Sequence, residues 1–227
     1  ASTASIREDL SRLEIRYLSN RDPNLRFALA ADLPDAASRD AVGDEELIAT
    51  AVRGIEALND RYAKETDSSD PERSDSGSAD GDFVLFFRPR RWSETESCWM
   101  GWERKRGKIE ELNSWLLNEP GRSPDALRPI AGNSARLAGI RLVITLDADT
   151  QLPHGTAHRL IGTIAHPLNR PRISPDGRRV ERGYTIIQPR VSPSLPSATA
   201  TRFSRVFADV IGVDPYTQAV SDLYQDL

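Results

Sequence analysis

Apolar residues recur every three or four positions in several stretches of the chain, as they do on the buried face of an amphipathic helix. This spacing predicts a helix over residues 5–19, which ends before the sequence NRDPN, and another over residues 45–63 with Asp44 as its N-cap. The same pattern predicts further helices over residues 107–118, 155–165, 201–211 and 216–226.

Short apolar runs between these helices predict β-strands. They are residues 25–34, which enter a loop at Asp32, and residues 82–88, 141–150 and 183–190. Strands that alternate with helices are typical of a mainly parallel sheet that helices cover on both faces. The fold class predicted from the pattern is therefore α/β.

Residues 64–82, KETDSSDPERSDSGSADGD, break this rhythm with seven acidic residues and many Ser, Gly and Pro. Such a stretch buries too little apolar surface to order itself, so it predicts a mobile loop. The α/β rhythm resumes directly after it. The interpretation is therefore one domain over residues 1–227 with an acidic loop at 64–82.

The charge, the cysteine count and the length of the apolar runs argue against several classes of protein. The formal net charge is −4 and the pI about 5.5, which argues against a nucleic-acid-binding protein. Cys98 is the single cysteine, so an internal disulfide is excluded and a reducing compartment is favoured. No apolar run approaches the roughly 20 residues of a membrane helix, and no signal peptide is visible.

Two carboxylates, Asp147 and Asp149, follow the apolar run VITL at the end of the predicted strand 141–150. On an extended chain they leave the same face, and at the carboxyl end of a parallel strand they lie where α/β sheets bind ligands. A divalent cation would relieve their repulsion, and all-oxygen ligation suits Mg²⁺ or Mn²⁺. The alternative is that both aspartates cap the loop and helix that follow.

A magnesium-dependent phosphatase is a rival interpretation, because haloacid-dehalogenase enzymes also place two aspartates at a strand end. Their pattern is Asp-x-Asp-x-Thr or Val. Here Thr150 directly follows Asp149 and Gln151 stands where that Thr or Val is required. The register disfavours a hydrolase of this type.

Several long segments, in order, resemble the glycosyltransferase domain of bacterial cyclic β-1,2-glucan synthases. The resemblance spans nearly the whole chain, sparing mainly the acidic loop. It is carried by LEIRYLSNRDPNLRFALAADLPDA, RPRRWSETESCWMGWERKRGKIEELN, VITLDADTQLP, AHPLNRPR, IIQPRVSPSLPSA and GVDPYTQAVSDLYQDL.

The resemblance implies an incomplete GT-A-like, Rossmann-like fold that uses UDP-glucose as donor with Mg²⁺ or Mn²⁺. The partners implied are the growing β-1,2-glucan and the remaining domains of the same large polypeptide, at the cytoplasmic face of the inner membrane. Membrane contact is expected only through parts outside this chain, which itself is expected to be soluble.

The resemblance also implies roles for four residues. Asp147 and Asp149 match the metal-binding Asp-x-Asp, with Asp147 also close to the nucleotide sugar. Asp32 stands where related transferases carry an acid that contacts uracil or ribose; the alternative is a turn cap. Lys108 resembles a lysine that approaches the diphosphate. Otherwise it is an ordinary solvated lysine, or part of a positive rim with residues 104–106.

The remaining candidate residues lie outside these motifs. Trp92, Trp99 and Trp102 suggest a sugar-stacking platform, although core packing is the favoured interpretation for at least two of them. Gln188, Pro189 and Arg190 end the predicted strand 183–190, near the expected sugar. His154 and His158 are four apart but lack a third ligand and are interpreted as surface residues, and His166 as a helix-end residue.

An inverting transferase needs a general base. In the family pattern this base is an acidic residue that lies downstream of Leu227, and the first strand of the sheet lies upstream of residue 1. Neither is therefore expected within this chain. The chain alone is therefore expected to be inactive. The alternative from another class is a non-catalytic binding module that keeps the fold.

Overall fold

The computed structural model describes residues 2–66 and 81–189, which include four α-helices and seven β-strands. The chain divides into two compact units at the Arg159–Leu160 bond. The elements, in chain order, are α1 Thr3–Ser19, β1 Phe27–Asp32, α2 Asp44–Thr66, β2 Phe83–Arg88, β3 Arg91–Ser93, β4 Cys98–Met100, α3 Arg104–Leu116, β5 Arg128–Ala131, a 3₁₀ turn Ser134–Leu137, α4 Thr156–Ala165, a 3₁₀ turn Pro167–Asn169, β6 Arg172–Ile173 and β7 Val180–Arg182.

The central sheet of the first unit has three strands in the order β1-β2-β5. β1 and β2 are parallel, and β5 runs antiparallel to β2. Two antiparallel pairs lie outside this sheet, β3 with β4 in the first unit and β6 with β7 in the second. The sheet is therefore mixed, and the prediction of a mainly parallel sheet is wrong in that respect.

Alternate side chains of β2 build two cores, one on each face of the sheet. Phe83 and Leu85 pack with the buried residues of α1 and α2. Val84 and Phe86 pack on the other face with Leu127, and α3 packs against this second cluster. Helices therefore cover both faces of the sheet, as the α/β pattern predicted.

The predicted helices over residues 5–19, 45–63, 107–118 and 155–165 are confirmed. α2 continues to Thr66, so the stretch assigned to the acidic loop begins as helix, and residues 67–80 lie outside the described residues. α3 begins at Arg104, three residues before the predicted start, so the basic residues 104–106 belong to its first turn. The helices predicted over 201–211 and 216–226 also lie outside the described residues.

Two predicted strands are wrong. Residues 141–150 form no strand and are mostly exposed, and residues 183–189 are likewise irregular. An apolar run becomes a strand only when a neighbouring strand accepts its hydrogen bonds. Neither run finds such a neighbour in the described part of the chain. The short strands β3 to β7 were not predicted.

No helix within residues 2–66 and 81–189 combines the length and apolar character that a membrane-spanning helix needs.

A buried ion pair holds the start of α2. Arg90 Nη1 and Nη2 donate to Asp44 Oδ2 and Oδ1 at 2.5 and 2.9 Å, and the Ala41 N–H donates to Oδ2 at 2.8 Å. The hydrogen bonds from Arg90 hold the pKa of Asp44 below its ordinary value, although burial opposes them. Asp44 is the first residue of α2. Its carboxylate accepts a hydrogen bond from the Ala41 N–H in the segment before the helix.

This lowered pKa predicts acid sensitivity. The unfolded chain binds a proton on Asp44 near its ordinary pKa of about 3.9, whereas the folded chain does so only at lower pH. Asp44 therefore stabilises the fold above about pH 4, and this contribution is lost as the pH falls through the folded pKa. We expect Asp44→Asn to lower the free energy of unfolding by about 2 kcal/mol at pH 7.

The measurement is urea unfolding of wild type and Asp44→Asn at pH 7 and pH 3. The difference between the two proteins should shrink at pH 3, and an equal difference at both values would contradict the prediction. Asp125→Asn, which alters the exposed pair with Arg39, is the control and should cost under about 1 kcal/mol.

Candidate functional site

A buried ion pair joins the carboxyl ends of the two parallel strands. β1 ends at Asp32 and β2 ends at Arg88, and the register places these residues opposite each other. Arg88 Nε lies 2.8 Å from Asp32 Oδ1, and Nη2 lies 3.2 Å from Oδ2. The Arg88 side chain is fully buried, whereas that of Asp32 is 20% exposed. Arg88 therefore fixes the Asp32 carboxylate at the sheet edge while part of it faces solvent.

Arg88 also fixes the start of α3. Its Nη1 donates to the Trp102 carbonyl oxygen at 2.6 Å, and its Nη2 donates to the Arg104 carbonyl oxygen at 2.8 Å. Gly101 makes room for this arrangement, because a Cβ there would lie 2.7 Å from Arg88 Nη2. The first turn of α3 is thereby tied to the end of β2.

Lys108 of α3 reaches the same carboxylate. Its Nζ lies 2.7 Å from Asp32 Oδ2 and donates to the Ala30 carbonyl oxygen at 3.1 Å. An ammonium has three N–H groups, so these two contacts leave one for a ligand. The side chain is 24% exposed; the interpretation of an ordinary solvated lysine is therefore wrong. Asp32 likewise bonds across the fold and is more than a local turn cap.

One turn earlier on the same helix, Lys105 pairs with Asp147. The Lys105 ammonium donates to Asp147 Oδ1, and both side chains are more than half exposed. Residues at i and i+3 lie on the same side of a helix. α3 therefore connects two of the predicted carboxylates, Asp32 through Lys108 and Asp147 through Lys105.

The predicted metal pair does not lie on a strand. Ala148 and Asp149 form a turn, which the Thr150 N–H closes by donating to the Asp147 carbonyl oxygen at 3.1 Å. The argument that an extended chain directs both carboxylates to one face is therefore wrong. The guanidinium of Arg16 in α1 holds the turn instead. It donates hydrogen bonds to the backbone carbonyl oxygens of Asp147, Ala148 and Thr150.

The start of α3 concentrates positive charge. Arg104, Lys105, Arg106 and Lys108 lie in its first five residues, where the helix dipole is also positive. Glu103, the N-cap, has φ 50° and makes no side-chain capping bond. Like charges at this end raise the free energy of the folded chain unless anions offset them. Asp147 and Asp32 pair with Lys105 and Lys108, and Asp35 and Glu103 pair with Arg104 and Arg106. A phosphate group is a chemically suitable further anion.

Asp147 and Asp149 would be the protein ligands of a cation at this turn. Within residues 2–66 and 81–189, no group of three or more His, Cys, Asp or Glu side chains is gathered closely enough to hold a metal ion. Mg²⁺ commonly takes one or two protein carboxylates and obtains its other ligands from water and phosphate oxygens. Both aspartates are exposed, and Asp147 Oδ1 already pairs with Lys105. They therefore fit a cation that arrives with phosphate.

The remaining candidates are scattered. Trp92 and Trp102 are 45% and 39% exposed, so core packing is wrong for these two. Trp92 contacts Trp99 edge to face across β3 and β4, with ring centroids 6.0 Å apart. Gln188 and Pro189 are exposed and irregular, and Arg190 lies outside the described residues.

The histidines are surface residues, as predicted. His154 is exposed, and His158 Nε2 lies 2.7 Å from Asp22 Oδ2. His166 follows the end of α4, and its Nδ1 accepts from the Leu168 N–H at 3.3 Å. It is a helix-end residue, as its place before Pro167 indicated.

Sequence reasoning missed three residues of this site. Arg88 carried a signal, because a charged residue ends the otherwise apolar strand FVLFFR. Lys105 was seen only as part of a positive rim. Arg16 carried no signal, since an arginine on a helix usually lies at the surface.

No protein-family model matches the chain. Over 221 residues, 97% of its length, the chain is 38% identical to the cyclic beta-(1,2)-glucan synthase NdvB of Rhizobium meliloti strain 1021. It spans 7% of the length of that protein. This similarity confirms the resemblance to cyclic β-1,2-glucan synthases: the chain corresponds to one segment of such a synthase.

Proposed function

We propose that this segment of a cyclic β-1,2-glucan synthase forms the nucleotide- and metal-binding part of a UDP-glucose-dependent, inverting glucosyltransferase. The observation that carries the proposal is the placement of Lys105 and Lys108 on one face of α3. These two ammonium groups gather Asp32 and Asp147, which are separate in sequence, at the carboxyl end of β1 and the start of α3.

The charges suit a nucleoside diphosphate. Lys108 keeps an N–H for a phosphate oxygen, and Asp32, partly exposed, keeps an acceptor for a ribose or uracil group. Asp147 and Asp149 would hold Mg²⁺ or Mn²⁺ between themselves and the phosphates. The cation, when bound, would offset negative charge on the departing UDP.

The resemblance to the family supplies the remainder of the proposal. The acceptor is the growing β-1,2-glucan, the general base comes from residues after Leu227, and the fold of the complete domain is GT-A-like. The site lies at the cytoplasmic face of the inner membrane, in contact with the other domains of the same polypeptide. A non-catalytic nucleotide-binding module is distinguished by the absence of glucose transfer in the full-length protein.

UDP binding tests the proposal directly. We expect the purified chain to bind UDP in the presence of Mn²⁺ and to bind it less well in EDTA, as measured by isothermal titration calorimetry. Lys108→Met should weaken the affinity about tenfold, because it removes a charged hydrogen-bond donor from the phosphate.

Arg106→Met is the matched control, since Arg106 is 78% exposed on the same helix and pairs with Glu103. It removes the same charge and should change the affinity less than about twofold. The proposed site would be refuted if the UDP affinity were the same with Mn²⁺ and with EDTA, and the same in wild type and Lys108→Met.

A further inference from the structure

The guanidinium of Arg16 holds the turn that carries Asp147 and Asp149, the two carboxylates proposed to bind a metal. Arg16 Nη2 donates to the carbonyl oxygens of Asp147, Ala148 and Thr150 at 2.9, 2.9 and 2.7 Å. Its Nε also donates to the Thr150 carbonyl oxygen, at 3.2 Å. Three carbonyl groups of a four-residue turn are thus directed at one side chain of α1.

The part of α1 that carries Arg16 has a defined position. Leu13 and Tyr17 are buried in the core next to α2. Asn20, which is 2% exposed, donates to the Leu152 carbonyl oxygen at 3.3 Å and accepts from the Ala157 N–H at 3.0 Å. A side chain on a helix packed in this way is a rigid support for a neighbouring loop.

The contact also divides the oxygen atoms of the turn into two sets. Burial lowers the pKa of Arg16 and so does the neighbouring charge of Arg12, whereas the charges of Asp9 and Asp149 oppose this. Arg16 stays protonated, since an arginine does not lose its proton in proteins. The carbonyl oxygens that Arg16 engages are not free for a cation. The carboxylates of Asp147 and Asp149 still offer oxygen atoms, although Lys105 already pairs with Asp147 Oδ1.

We propose that Arg16 is a positioning residue, which sets the backbone of the turn 147–150 so that Asp147 and Asp149 are presented to a divalent cation bound with a nucleoside diphosphate. This inference rests on the proposed function. It requires arginine, because the planar guanidinium offers five N–H groups in a fixed geometry, whereas a lysine offers a point charge on a flexible stem.

The test compares three variants of the 227-residue chain, Arg16→Ala, Arg16→Lys and Arg12→Ala. Arg12 is the matched control, because it lies one turn earlier on α1, makes a single 3.3 Å contact with the Ala148 carbonyl oxygen, and pairs with Glu8. The readouts are exchange of the Thr150 amide hydrogen by NMR and the Kd of Mn²⁺ in the presence of UDP by water-proton relaxation.

We expect Arg16→Ala to accelerate Thr150 amide exchange about tenfold and to raise the Kd of Mn²⁺ by about the same factor. Arg16→Lys should give intermediate values for both readouts, and Arg12→Ala should stay within about twofold of wild type. Amide exchange of β2 reports whether each variant is folded. If Arg16→Ala is unfolded, the Arg16→Lys variant provides the comparison.

Unchanged Thr150 exchange in the folded Arg16 variants would overturn the inference. Faster exchange with an unchanged Kd would also overturn it, because Arg16 would then support the turn without influencing the metal. If wild type binds no Mn²⁺ with UDP, the proposed function fails, and with it the metal part of this inference. The exchange data still decide in that case whether Arg16 holds the turn.

Discussion

In a full-length synthase that contains this segment, Asp149→Asn is expected to lower glucose transfer by about 10²–10³-fold. Asparagine keeps the shape of the side chain but removes the charge that would hold Mg²⁺ or Mn²⁺. Asp149 is exposed in the turn, so the substitution should leave the fold unchanged. The measurement is the rate of glucan synthesis from UDP-glucose at saturating Mn²⁺, with circular dichroism to verify folding.

Asp60→Asn is the matched control, because it removes one negative charge from the exposed surface of α2. Its synthesis rate should stay within about twofold of wild type. If the Asp147 and Asp149 carboxylates only capped local backbone groups, asparagine would serve nearly as well as aspartate. Near-normal synthesis by Asp149→Asn would therefore refute the metal role.

The elements that could be predicted from the sequence are those that their own periodicity defines. α1 and α2 each present an apolar stripe, and β1 and β2 are short apolar runs between turn residues. Their side chains form the core, with Ile55 and Phe83 both fully buried. Local pattern and tertiary packing agree for these elements, which is why the prediction of an α/β fold is confirmed.

The segment 141–150 could not be predicted in the same way. Val143 and Ile144 favour a strand by composition, but a strand also requires a partner whose position depends on the whole fold. In the described residues β2 already has β1 on one side and β5 on the other. The segment after Leu146 is instead held by α1, through hydrogen bonds that apolar periodicity does not encode.

The candidate site divides in a similar way. Asp32 and Lys108 were predicted separately, and the structure places them in contact. Their contact depends on how α3 packs against β1, which residue spacing does not specify. Arg88 was missed because a buried arginine is unusual, and its role depends on four acceptor atoms from three different residues.

Arg88→Met is expected to destabilise the folded chain by about 3 kcal/mol, because it removes a fully buried guanidinium. The substitution leaves the carbonyl oxygens of Trp102 and Arg104 without this donor and leaves Asp32 with Lys108 alone. Methionine has a similar length and fills part of the space, so the main loss is electrostatic. The measurement is the free energy of unfolding in urea at pH 7.

Arg39→Met is the matched control for this change. Arg39 forms a 2.5 Å ion pair with Asp125, but its side chain is 47% exposed. Exposed pairs contribute about 0–1 kcal/mol, so Arg39→Met should cost no more than that. An Arg88→Met chain as stable as the Arg39→Met chain would contradict the buried role of Arg88.

A double substitution separates the charge effect from packing. Removing one partner of a buried pair leaves the other charge uncompensated, whereas removing both relieves that cost. Asp32→Asn combined with Arg88→Met should therefore destabilise the chain by less than the sum of the two single substitutions. Additive losses would mean that Arg88 supports the start of α3 independently of Asp32. A loss smaller than the sum would show that the two strand ends act as one unit, which fixes Asp32 where Lys108 reaches it.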